Sequence, residues 1–311
     1  MKRLTENKII LISRTSRLEE LVARFNTLGQ AKFYVEHLGA DFSDYEVEHQ
    51  NYKKALHETE TQLRTLGRVQ ILDRAFLTNF VFGADDTIVV LGQDGLVANT
   101  LKYLQEQPVI AVNPDPVRWD GILLPFEVKD VSMVVADVFA RRRTLREISM
   151  ARAELNNGQI LYGVNDLFIG PKSHISARYQ ISIGPKTERQ SSSGIIVSTG
   201  LGSTGWLKSI LAGARGIGSA LGRPFEANTL KDFRWESDYL YYTVREPFPS
   251  KSSEATLVFG KITGKAPLRL ISQMPENGVI FSDGIESDFL EFNSGTQALI
   301  TLAEKKGYLV I

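Results

Sequence analysis

Apolar positions fall into two regimes along this chain, and the pattern changes near residue 144. In the first regime, short apolar runs alternate with segments of helical spacing. Lys8 to Ser13, Val69 to Leu72, Thr87 to Leu91 and Val109 to Val112 read as strands, and Ile88 to Leu91 has the unbroken apolar character of a strand buried on both faces. Arg14 to Leu28 carries Leu18, Leu21, Val22, Phe25 and Leu28 at helical spacing, and Leu96 to Leu104 and Val131 to Arg143 also read as helices. From Asp41 to Leu66 there is neither Pro nor Gly, and Tyr45, His49, Tyr52, Leu56, Thr59, Leu63 and Leu66 recur at three and four residues. That spacing predicts one long helix with a heptad-like seam, laid on a sheet or paired with a partner. Strands alternating with helices predict an α/β domain whose parallel sheet carries helices on both faces.

Beyond Thr144 the pattern is alternating and strand-like as far as about Val197, as in Arg146 to Glu154 and Arg178 to Ile183. A helix is expected over Leu207 to Ala220. Further strands are expected at Tyr239 to Val244, Thr256 to Phe259, Leu268 to Ser272, Val279 to Phe281 and Phe289 to Phe292. This half reads as a β-rich, largely antiparallel domain. The expected division is 1–143 for the α/β nucleotide-binding domain and 144–304 for the β-rich domain. The stretch 305–311, apolar from Tyr308, is expected to return to the first domain as a strand. No internal repeat is visible.

Composition changes this picture mainly by exclusion. Lys plus Arg and Asp plus Glu are both 36, so a zero net charge gives no whole-chain attraction to nucleic acid or to an anionic membrane. Without Cys there are no disulfides, thiolate metal sites or cysteine nucleophiles, and four His argue against a multi-histidine metal centre. The run Ile9 to Ile12 is too short for a signal-peptide core or a membrane span, so a cytoplasmic protein is expected, with neither nucleic acid nor membrane as partner.

Four stretches carry candidate chemistry. Gly92-Gln-Asp-Gly95 lies between the third strand and a helix, where backbone N–H groups can approach a phosphate near the positive end of the helix dipole. Asp94 adds a charge suited to holding a metal ion or taking a proton from an attacking hydroxyl, although Asp-Gly also serves ordinary turns. Asn113-Pro-Asp-Pro116 lies at the next strand end, so Asn113 and Asp115 would share a crevice with Asp94. Asn165 and Asp166, side by side, suit a ribose diol or a plain Asx turn. The strand Ile195 to Val197 runs into Thr199-Gly-Leu-Gly-Ser-Thr-Gly205, where glycines and hydroxyls fit a nucleotide through Thr199, Gly200, Gly202, Ser203 and Thr204. Ser203 or Thr204 is equally a candidate helix N-cap. This segment is neither a Walker A loop nor a dinucleotide fingerprint. Arg141-Arg-Arg143 is expected to close the last turn of its helix and complement the dipole, or to bind phosphate.

Together, Gly92-Gln-Asp-Gly95, Asn165-Asp166 and Thr199 to Thr204 resemble, in order and spacing, the marks of the NAD kinase family: G-G-D-G-T, an N-E/D pair and a T-G-S-T-type segment. Thr15-Ser-Arg17, Val112-Asn-Pro-Asp-Pro116, Ser192-Ser-Gly194, Arg245-Glu-Pro247 and Asp283-Gly284 resemble its mitochondrial-type branch. The resemblance covers nearly the whole chain. It implies NAD or NADH held between an α/β domain and a β-rich domain, Mg²⁺, ATP as phosphoryl donor, transfer to the 2′-hydroxyl of the adenosine ribose, and a homodimer or larger assembly. By position, Asp94 would be the catalytic base and Gly92, Gln93 and Gly95 the phosphate-lining turn. Asn113, Asp115, Asn165 and Asp166 would contact NAD, and Thr199 to Thr204 its adenosine side.

Three positions depart from the pattern: Gln93 replaces the second glycine, Leu96 the final threonine, and Trp206 a tyrosine common in the family. If position 93 requires positive φ, Gln there costs on the order of 1 kcal/mol or more. Three readings follow: an NAD kinase, a related kinase acting on a sugar or lipid hydroxyl, and a non-catalytic nucleotide-binding relative.

Overall fold

The computed structural model describes residues 4–224 and 230–311. The chain divides into two compact units, residues 1–146 with Tyr308–Ile311, and residues 147–307. Among the described residues, no helix is long and apolar enough to cross a membrane.

The α/β unit is built on β1 (Lys8–Ser13), whose five residues after Lys8 are all buried. Helices α1 (Arg17–Phe25), α2 (Leu28–His37) and α3 (Ser43–Leu66) follow, then β2 (Arg68–Asp73), β3 (Thr87–Leu91), α4 (Asp94–Leu101), β4 (Pro108–Asn113), β5 (Phe126–Glu127) and α5 (Val131–Phe139). The strands lie in the order β2-β1-β3-β4, all parallel, with β5 and the terminal residues Tyr308 and Leu309 also pairing in parallel with β4.

The segment expected as one helix over Arg14 to Leu28 is two. Ser16 and Glu19 form a reciprocal capping box that starts α1, and Asn26 in the left-handed conformation (φ 65°) ends it. Thr27 Oγ1 then accepts from Gln30 N–H and starts α2. The long helix α3 lies on the sheet: Tyr52, Ala55 and Leu63 join Ile9, Leu11, Val89 and Ile110 in one core. A second helix correction concerns α5, which stops at Phe139. Arg141 is left-handed (φ 54°), and Arg142 and Arg143 pair with Asp137 at 2.6 and 3.1 Å instead of extending the last turn.

The second unit is antiparallel. Strands β6 (Leu145–Leu155), β7 (Ile160–Gly163), β8 (Asp166–Pro171), β9 (Ala177–Ile183), β10 (Lys186–Ser192) and β11 (Ile195–Ser198) precede helix α6 (Trp206–Ala220). Then come β12 (Leu240–Val244), β13 (Phe259–Ile262), β14 (Leu268–Ser272), β15 (Gly278–Ser282), β16 (Ile285–Glu291) and β17 (Gln297–Val310). One six-stranded sheet runs β13-β12-β11-β8-β15-β16, and β10-β9-β14-β17, with β6 paired to β17 and to β7, belongs to an eleven-stranded sheet. Their inner faces share a core that includes Tyr179, Ile181, Ile195, Val197, Ile280 and Ile300. The strand expected at Thr256 to Phe259 begins only at Phe259, because Thr256 and Leu257 donate their backbone N–H groups to the buried Glu188 carboxylate (3.2 and 2.8 Å).

Tyr52 joins helix to sheet through its hydroxyl, which accepts from Arg14 N–H (2.8 Å) and donates to the Leu91 carbonyl (3.2 Å) in the interior. Burial pushes this phenol up to about 12, so it remains a neutral donor and acceptor. Tyr52→Phe should therefore cost about 1–3 kcal/mol by leaving the Arg14 N–H without its acceptor. Urea unfolding followed by circular dichroism measures this, and an unchanged midpoint would contradict the role given to the hydroxyl.

Candidate active site

Strand order fixes where a ligand can enter the α/β unit. The chain order reverses between β1 and β3, and loops leaving the carboxyl ends of such neighbours open a crevice. Arg14 follows β1 there and Gly92 follows β3.

Gln93, the residue before α4, has φ −106° and ψ 165°. This is extended backbone open to any residue, so the strain conditional on positive φ does not arise. Gly92 is packed instead by Leu96: a Cβ on Gly92 would fall 2.7 Å from Leu96 Cδ2. Thus Leu96 turns inward, is 4% exposed and fills the space above the glycine. Gly95 is exposed, and a Cβ there would meet nothing within 4 Å.

Asp94 is the first residue of α4, where the sequence placed it at a loop tip. Its Oδ1 accepts from Leu123 N–H at 2.8 Å and its Oδ2 from Ile122 N–H at 3.3 Å. These bonds fix the orientation of the Asp94 side chain at the head of α4. In the first turn the N–H groups of Leu96 (2.8 Å) and Val97 (3.3 Å) donate to the Gln93 carbonyl, and Gly95 beside them is exposed.

The segment that donates to Asp94 is itself held by a candidate residue. Asn113, buried at the end of β4, donates from Nδ2 to the Trp119 carbonyl (2.9 Å) and accepts Asp115 N–H (3.1 Å). Gly121 approaches so closely that a Cβ would lie 2.7 Å from Asn113 Nδ2, and its φ of +62° independently favours glycine. Asp115 accepts from Asn51 Nδ2 (2.9 Å), and both line a cavity of about 250 Å³ with Asn113 and Lys129. Beside it, Asp44 bridges Arg118 (2.6 Å) and Arg17 (2.7 Å), and hydrogen bonds from these two guanidinium groups hold its carboxyl down to about 2. Arg14 forms a buried pair with Glu48.

The other candidates gather in the β-rich unit. Thr199 donates from Oγ1 to the Val164 carbonyl (2.6 Å) and from its N–H to the Asn165 carbonyl (3.0 Å). Of the three glycines, Gly200 and Gly202 are buried against other backbone. A Cβ on Gly200 would lie 1.6 Å from the Arg234 carbonyl oxygen, and one on Gly202 2.1 Å from that of Asn165. Ser203 donates to the Gly200 carbonyl (2.7 Å) and caps no helix; Gly205 flanks α6 without a side-chain cap, and Thr204 is exposed.

Asn165 and Asp166 do not form a plain Asx turn. Asp283, in the two-residue Asp-Gly turn between β15 and β16, accepts the N–H groups of Val164 (3.0 Å), Asn165 (2.6 Å) and Asp166 (3.3 Å). Positive φ at Asp283 and Gly284 shapes this tight hairpin. Asp166 Oδ1 is buried without a hydrogen-bond partner. Sequence reasoning gave Asp283 no site role; its Asp-Gly signal was visible, but its contact with residues 118 positions earlier was not. Tyr52 and the amides of Ile122 and Leu123 were likewise missed.

No family model matches the chain, and no curated protein matches it by sequence. Solved structures do. Yeast NADH kinase complexed with NADH superposes with a TM-score of 0.57 at 16% identity, covering 98% of this chain and 84% of that one. An NAD kinase from Archaeoglobus fulgidus in complex with ATP gives a TM-score of 0.55 at 13% identity, covering 98% and 93%. The chain therefore has the two-domain fold of the NAD kinases.

Burial, then the charge of Asp283, raises the Asp166 carboxyl to about 7. The folded state thus holds this proton more tightly than the unfolded state, and the associated stability is full below the ordinary carboxylate range and lost as pH rises through 7. Between pH 5 and 8 the wild type should lose about 2–4 kcal/mol relative to Asp166→Asn, as read by urea unfolding at both pH values. Parallel pH dependences would contradict a carboxyl whose charged form burial disfavours.

Proposed function

We propose that this protein is an NAD kinase-like phosphotransferase that moves the γ-phosphoryl group of ATP to the 2′-hydroxyl of the adenosine ribose of NAD or NADH. The observation that carries the reading is Asp94: a carboxylate on the first turn of α4, at the carboxyl end of β3 and at the switch point of the sheet. The fold shared with kinases of NAD and NADH supports it.

Each Asp94 oxygen accepts one backbone N–H, which leaves lone pairs for an acceptor hydroxyl. As that hydroxyl oxygen attacks the γ-phosphorus, its O–H bond breaks toward Asp94, the new O–P bond forms, and the bond to the β-phosphate oxygen breaks to release ADP. Such transfers depend on alignment and charge stabilisation more than on covalent chemistry. The turn Gly92 to Gly95, at the head of α4, would receive phosphates. Asn113 and Asp115 would shape the neighbouring wall, and Asn165, Asp166, Ser203 and Thr204 would face the nucleoside, on a turn that the buried Thr199, Gly200 and Gly202 pack in place. Residues 1–143 with 305–311 would form the nucleotide-binding domain and 144–304 the NAD-binding domain, in a cytoplasmic homodimer or larger assembly.

Mg²⁺ would arrive with ATP and neutralise charge on the phosphates. Among the described residues, no group of three or more His, Asp or Glu is gathered to hold an ion alone. Mg²⁺ commonly binds through substrate phosphates with few protein ligands, so it would ride on the ATP phosphates and leave the Asp94 lone pairs to the hydroxyl proton.

Purified protein given Mg-ATP and either NAD or NADH should form NADP or NADPH, and Asp94→Asn should lower the rate about 10²–10⁴-fold. Product confined to sugar or diacylglycerol acceptors in the same assay would redirect the substrate assignment. Undiminished NADP formation by Asp94→Asn would remove the proposed base.

A further inference from the structure

A cavity of about 520 Å³ lies on the face of the β8-containing sheet turned away from the main core of the β-rich unit. None of its lining residues belongs to the Asn165–Asp166 pair or to the Thr199–Thr204 turn. Its floor is aromatic. Phe168 stacks on Trp206 with centroids 5.8 Å apart and planes 5° from parallel, and on Phe281 at 4.8 Å. Phe289 adds a further wall.

Cations stand over these rings. The Arg245 guanidinium lies 5.4 Å from the Trp206 centroid, and the Lys172 ammonium 3.3 Å from that of Phe289. His174, on the exposed loop after β8, also lines the cavity. The opposing charge is at the margin: Glu286 is exposed, and Glu246 pairs loosely with Arg245 at 3.6 Å.

Each simple occupant leaves half of this lining unused. An alkyl chain would cover the rings but leave Lys172 and Arg245 without an anion. Inorganic phosphate would meet the cations and leave the aromatic stack in water. A planar heterocycle carrying a phosphate uses both, since aromatic faces accept stacked bases and guanidinium forks match phosphate oxygens. The volume falls within the range of ordinary small-molecule sites.

We propose that this cavity is a mononucleotide subsite, which stacks a heteroaromatic base on the Phe168–Trp206 platform and binds its 5′-phosphate through Arg245 and Lys172. It goes beyond the kinase reading and does not depend on catalysis by Asp94.

The chain has three tryptophans, so Trp119→Phe with Trp235→Phe leaves Trp206 as the sole reporter. In that full-length background, AMP and nicotinamide mononucleotide are titrated against Trp206 fluorescence, alongside adenosine and inorganic phosphate. Saturable quenching by a mononucleotide is expected, with adenosine and phosphate about tenfold or more weaker, and the tighter mononucleotide identifies the base. Arg245→Met combined with Lys172→Met should weaken binding by at least about tenfold. Glu286→Gln, which removes a rim anion and leaves the stack intact, should tighten it. Absence of saturable quenching by either mononucleotide, equal binding of adenosine, or Glu286→Gln binding no tighter than its parent overturns the proposal. Asp94→Asn should leave the titration unchanged, so failure of phosphoryl transfer and failure of this subsite are separately visible.

Discussion

The hydroxyl of Tyr52 meets the constraint on which the α/β unit depends. Where β1 and β3 end side by side, their chains must leave in different directions, and the backbone groups at the parting lose their ladder partners. Tyr52 satisfies one from each side, accepting from Arg14 and donating to Leu91. An unpaired buried backbone group is costly, so a distant side chain that closes both accounts fixes the crevice geometry. This requires α3 to be long enough to place Tyr52 over the strand ends while Leu63, further along, packs in the same core. The Arg14–Glu48 pair adds a second tie from the same helix.

Both units use a carboxylate to gather backbone N–H groups, with different consequences. Asp283 collects three successive amides and holds the turn that leads into β8. Asp94 collects only two, and does so beside the exposed Gly95 at the head of α4. The first arrangement is architectural; the second leaves acceptor capacity where a phosphate and a hydroxyl would meet. The departures around Asp94 are absorbed locally, because Gln93 is extended and Leu96 packs onto Gly92.

Much of the fold was legible because its signals are local. The buried runs of β1, β3 and β4 are apolar on both faces, and α3 contains neither Gly nor Pro. The break between α1 and α2 was lost because Asn26 and Thr27 supply a stop and a start inside one apolar periodicity. The end of α5 was misplaced because arginines suit a last turn, whereas here Asp137 draws them back. In the candidate site, turns could be located but not their partners. Gly200 and Gly202 read as ligand-facing, yet their missing Cβ atoms admit the Arg234 and Asn165 carbonyls, and a sequence does not show which backbone will lie there.

The central claim is that an altered Gly-Gln-Asp-Gly-Leu turn still presents a working carboxylate. The most direct measurement compares initial rates of NADP(H) formation from Mg-ATP for the wild type and the double variant Gln93→Gly/Leu96→Thr. If the extended Gln93 and inward Leu96 are neutral to the chemistry, the wild type is active and the rates agree within about tenfold, or roughly 1.4 kcal/mol in the barrier. An inert wild type beside an active double variant would show that the two substitutions disable the turn, and would contradict the account.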